Sequence, residues 1–71
     1  MNKLIIPGRD IKRFSNAWLR STYMIGKLID HGAVTRSPAL ELRGNLGQVC
    51  TANKILWSIN DANNSYTFTW D

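Results

Sequence analysis

His31 and Cys50 are the only residues of their kinds in this sequence. Nucleophilic and metal chemistry need such groups in sets: a base within reach of a nucleophile, or several ligands at fixed spacing. Neither residue has a partner in the sequence pattern, and Asp10, Asp30, Glu41, Asp61 and Asp71 are scattered. No two of these carboxylates are spaced to share a helix face. Pro7-Gly8-Arg9 reads as a turn rather than a glycine loop cradling phosphate. His31 reads as a cation near a helix C-terminus, and Cys50 as a small buried or edge residue beside Val49. The expectation is a protein that is not an enzyme, with no cofactor, no metal and no small-molecule substrate.

The cations are the informative feature. Nine Lys and Arg against five Asp and Glu give a net charge of +4. On a helical wheel Arg9, Lys12, Arg13, Arg20 and Lys27 fall within an arc of roughly 100°. Asn16 and His31 fall in the same sector, and Tyr23 at its edge. The arc lies opposite Ile11, Phe14, Trp18 and Ile25. A face tuned for stability would mix Glu and Lys at i, i+4, whereas Arg9 and Arg13 place like charges at that spacing. Three of the cations also crowd the helix N-terminus, where the macrodipole opposes them. Both costs suit a ridge that meets a polyanion; the plainer reading is a solvated face that aids solubility.

A helix must carry that ridge. Residues 9–31 read as one long amphipathic helix, because Ile11, Phe14, Trp18, Thr22, Ile25, Leu28 and Ile29 recur at spacings of three, four and seven. Gly32 is the natural residue just past its end. Before it, residues 3–6 read as a short strand stopped by Pro7-Gly8. At the other end, Ile55, Trp57 and Ile59 alternate on one strand and Tyr66, Phe68 and Trp70 on another, linked by the turn formers Asp61-Ala62-Asn63-Asn64. Pairing Asn60 with Ser65 sets Ile59 against Tyr66, Trp57 against Phe68, Ile55 against Trp70 and Lys54 against Asp71. Ser58 then meets Thr67 on a neutral outer face shared with Leu56 and Thr69.

In the middle, Ser37-Pro38 marks a break and Gly44-Asn45 a tight turn. Pairing Arg43 with Leu46 sets Leu40 opposite Val49, and Val49 shares parity with Ile55, Trp57 and Ile59. One strand bent near Ala52-Asn53 would therefore run from Gln48 to Asn60. The expected fold is α+β: one long amphipathic helix packed on a small antiparallel sheet, in order β-α-β-β-β, with residues 1–71 as a single domain. Trp18, Trp57, Phe68 and Trp70 are expected at the centre of its core. Arg20→Glu, on the opposite wheel face, is expected to leave the melting temperature nearly unchanged.

One cysteine excludes an internal disulfide, and Leu4-Ile5-Ile6 is too short an apolar run to span a bilayer. A cytoplasmic protein with no membrane partner is expected, so the sequon Asn63-Asn64-Ser65 would go unglycosylated. The sequence lacks the signatures of an RRM, a KH domain, a zinc finger or a basic zipper, and residues 1–8 cannot supply the first helix of a helix-turn-helix. The reading is a small binding protein whose Arg9, Lys12, Arg13, Arg20 and Lys27 contact a polyanion, above all nucleic acid backbone. Asn16 and Tyr23 would add further contacts. The alternative is a small inhibitor or modulator, of the kind a phage or mobile element carries, whose basic face docks on an acidic surface of a larger host protein.

Overall fold

The computed structural model describes residues 1–34 and 45–71. In chain order these form β1 (Asn2–Ile6), α1 (Gly8–Lys12), α2 (Ala17–Asp30), α3 (Leu46–Ala52), β2 (Leu56–Asn60) and β3 (Ser65–Trp70). The fold is α+β, as expected, but among the described residues three helices, not one long one, pack on a three-stranded antiparallel sheet of order β1-β3-β2.

The expected helix over 9–31 is two helices. Apolar periodicity runs unbroken through Ile11, Phe14 and Trp18, but the backbone does not follow it. Asn16 adopts an extended conformation (φ −142°, ψ 166°), and its side chain accepts the Leu19 N–H at 2.9 Å. That is a helix N-cap: the short polar side chain satisfies an orphan donor and starts a new helix where the old one would have continued. Downstream the expectation for the helix end holds. Gly32 (φ +77°) follows the last turn, its N–H donating to Ile29 and the Ala33 N–H to Leu28. This Schellman arrangement satisfies the terminal carbonyls.

The expected strand from Gln48 to Asn60 is also corrected. Its first half is α3, capped by Asn45, whose side chain accepts the Gln48 N–H at 3.1 Å. Leu46, Val49 and Cys50 are its buried residues, at helical spacing. The helix ends as α2 does, with Lys54 in the left-handed region (φ +56°) and the Ile55 N–H donating to Cys50. Leu46 thus caps no hairpin; the break at Ser37-Pro38 and the expected partners Leu40 and Arg43 lie outside the described residues.

The hairpin has the expected register: Asn60 opposite Ser65, Ile59 opposite Tyr66, Ser58 opposite Thr67 and Trp57 opposite Phe68. The ladder stops at Leu56–Thr69, so the further pairs proposed for Ile55 and Lys54 are not part of it. β1 completes the sheet on the other side of β3, with Leu4 opposite Phe68 and Ile6 opposite Tyr66. Residues paired directly share a face. The inner face is therefore built from rows such as Leu4-Phe68-Trp57 and Ile6-Tyr66-Ile59. The outer face carries Lys3, Ile5, Leu56, Ser58, Thr67 and Thr69.

Helices cover the inner face unevenly. Phe68, Ile25, Leu28, Val49 and Cys50 are fully buried, with Ile6, Ile11, Met24, Val34, Leu46 and Ile55 around them. β2 is exposed along its whole length. Trp57 keeps 41% of its surface and Trp18 49%, so neither lies at the core centre as expected; Phe68 does, and Trp70 packs at its margin. Among the described residues no helix is long and apolar enough to cross a membrane.

Candidate functional site

The break at Asn16 redistributes the cations. Arg9 and Lys12 lie exposed on α1, Arg13 is exposed at its C-terminal end, and Arg20 and Lys27 lie on α2. They no longer form one row along a single helix. Two groups result, each meeting different neighbours.

The first group faces the hairpin. Lys12 and Arg20 line a cleft of about 430 Å³ together with Ile11, Ile59, Asp61 and Tyr66. Arg9 and Lys12 border an adjoining hollow of about 350 Å³ with Pro7 and Asn63. Gly8 makes this closeness possible, since a Cβ there would overlap the Asn63 carbonyl oxygen and crowd Asn64 at 3.1 Å. Arg20 is held in place, its Nε donating to the Phe14 carbonyl at 3.0 Å. None of Arg9, Lys12 or Arg20 makes an ion pair with a carboxylate of the described residues.

The second group gathers on an aromatic pair. The Phe14 and Tyr23 rings lie 4.9 Å apart, and the Arg13 guanidinium sits 5.4 Å from one centroid and 5.5 Å from the other. Lys27 places Nζ 5.6 Å from the Tyr23 ring. These are cation–π distances, worth about 0.5–1 kcal/mol each at exposed sites. Tyr23 and Lys27 are half-buried and border a shallow hollow of about 150 Å³ with Asp10, His31 and β1. This group is partly spent on the fold. Asn16, expected as a contact residue, is spent on its N-cap.

Sequence reasoning missed the hairpin's share of the site. Ile59, Tyr66 and Asp61 form one wall of the cleft. Trp57 stacks on Tyr66 with centroids 5.8 Å apart and ring planes 5° from parallel. The register already set Ile59 beside Tyr66, but nothing in the sequence shows which helix end lies over them.

Cys50 is buried, and that burial pushes its thiol up to about 11, so it carries no thiolate at neutral pH. Among the described residues no group of three or more His, Cys, Asp or Glu could hold a metal ion. Comparison with protein-family models, curated proteins and solved structures gives no match to this chain.

Proposed function

We propose that this chain is a non-enzymatic binding module that docks its basic helical surface on nucleic acid backbone. The observation that carries the reading is the convergence of Arg9, Lys12 and Arg20, from two separate helices, on adjoining hollows beside the hairpin, without an ion pair among the described residues. Cations left unpaired around a concavity favour an anionic ligand with spaced charges, and backbone phosphates supply that spacing. Arg13 and Lys27 extend the field on the neighbouring surface while their side chains rest on Phe14 and Tyr23. Contacts of this kind position a protein on its ligand without reading sequence.

Fluorescence anisotropy with a labelled duplex, repeated over a salt series, tests the reading. Each neutralised phosphate adds about −0.9 to the slope of log K against log salt, so five cations give a slope of roughly −3 to −5. Arg9→Glu combined with Lys12→Glu is expected to make that slope shallower by about 2 and to weaken binding of all sequences alike. Failure of the wild type to bind duplex or single strand at low salt overturns the reading. Loss of an acidic protein partner in the same double variant, in a nuclease-treated lysate, would put the inhibitor alternative in its place.

A further inference from the structure

The cleft that holds the cations also reaches an aromatic shelf that duplex backbone does not need. Tyr66 lines the cleft with Lys12 and Arg20, and Trp57 stacks parallel on Tyr66 from the neighbouring strand. Tyr66 continues into Phe68, whose ring lies 6.1 Å away and 18° from parallel. Phe68 is fully buried, so the row of rings starts in the core and ends in water at Trp57. Beside it Ile59, paired with Tyr66, is 44% exposed. A tryptophan that anchors a core would be covered, and an edge strand normally carries a charge or proline to keep other molecules off. β2 has neither: its sequence is Leu56-Trp57-Ser58-Ile59-Asn60.

We propose that the site takes single-stranded nucleic acid, with a base stacking on Trp57 and the flanking phosphates held by Lys12 and Arg20. This rests on the nucleic-acid reading above and narrows it to unpaired strands. Non-specific single-strand binding combines a cationic groove that tracks the backbone with aromatic faces on which bases lie. The two parts meet at Tyr66, which lines the cleft and stacks on Trp57. The bases of a duplex are already stacked on one another and cannot use the shelf. Asp61 also lines the cleft, and its carboxylate repels phosphate from the turn end, directing the strand towards the two cations.

The test compares two labelled probes at equal salt: an oligothymidylate of about twelve nucleotides and a duplex of equal length. The single strand is expected to bind about tenfold tighter and to quench tryptophan fluorescence. Trp57→Leu keeps the strand apolar and is expected to weaken single-strand binding about tenfold, to remove most of the quenching, and to leave duplex binding unchanged. Trp57→Phe is expected to restore part of the loss. Asp61→Asn is expected to tighten single-strand binding a few-fold. Amide hydrogen exchange of β3 checks that each variant is folded. Equal affinity for the two probes, or a folded Trp57→Leu protein that binds the single strand as the wild type does, overturns the proposal while the duplex result leaves the broader reading standing. Absence of binding to both probes at low salt overturns the two together.

Discussion

Arg20 reaches back six residues to donate from its Nε to the Phe14 carbonyl at 3.0 Å, so this cation clasps α2 to the link that follows α1. The carbonyl it satisfies lies where the helix has just been broken, beyond the reach of an intrahelical donor. A charged donor in an exposed position contributes on the order of 1 kcal/mol. Arg20→Glu is therefore expected to lower the melting temperature by about 4–8 °C, not to leave it unchanged as the wheel alone suggests. Scanning calorimetry of Arg20→Glu and Arg20→Lys decides it. An unaltered melting temperature in both variants would show that the clasp contributes nothing.

Gly8 and Gly26 make a contrasting pair. A Cβ on Gly8 would overlap the Asn63 carbonyl oxygen, which belongs to backbone and cannot swing aside. Gly8→Ala is expected to push α1 off the hairpin turn, costing about 1–3 kcal/mol, and to weaken anion binding in the adjoining hollows. Gly26 lies inside α2, and beyond its chain neighbours and the local helix backbone no atom of the described residues comes within 4 Å of its would-be Cβ. Gly26→Ala is expected to stabilise the fold by about 0.5–1 kcal/mol, through lost freedom of the unfolded chain. Urea titration of both variants gives the two signs.

Phe68 and Trp57 are direct partners across the hairpin and share the inner face, yet only Phe68 is enclosed. Phe68→Ala is expected to cost about 3–5 kcal/mol, which is most or all of the stability of so small a fold. Trp57→Ala removes a half-exposed ring and its stacking on Tyr66, for about 1–2 kcal/mol. Equilibrium unfolding that finds the two equal, or their order reversed, would contradict the burial assigned to β2.

The hairpin was legible because strand periodicity and turn chemistry agree there. With Asn60 opposite Ser65, Trp57 meets Phe68 and Ile59 meets Tyr66 on the inner face, and a one-residue slip destroys both matches. The split between α1 and α2 was hidden because Ile11, Phe14 and Trp18 keep helical spacing across it. The signal that marks it is Ser15-Asn16 ahead of Ala17, a cap sequence inside an apolar pattern. α3 was mistaken for strand because Val49 happens to share parity with Ile55, Trp57 and Ile59. The spacing of Leu46, Val49 and Cys50 fits a helix as well, and short apolar runs do not decide between the two. For the candidate site, the wheel placed five cations on one arc, whereas the break at Asn16 divides them between two helices. That Lys12 and Arg20 meet Ile59 and Tyr66 depends on tertiary approach at Gly8, which no local pattern encodes.

Cys50 supplies a pH dependence with a definite sign. Its thiol is pushed up from 9.0 to about 11 because burial disfavours the thiolate. In the unfolded chain the same thiol ionises near its ordinary value. Between those two pH values the unfolded state has released a proton that the folded state still holds. Stability therefore falls as pH rises through this window, and is unaffected by this group below it. Two pH units at about 1.4 kcal/mol each set the full loss on the order of 2–3 kcal/mol by the top of the window. Cys50→Ala is expected to be somewhat less stable than the wild type at pH 7, through the space left in the buried core, and to show a flatter decline between pH 9 and pH 11. The difference between the urea midpoints of the two proteins isolates the thiol. Midpoints that fall in parallel across the window would mean that Cys50 is open to water in the folded protein. A disulfide reagent at pH 8 offers a second check: the native thiol is expected to react only at the rate at which the chain opens.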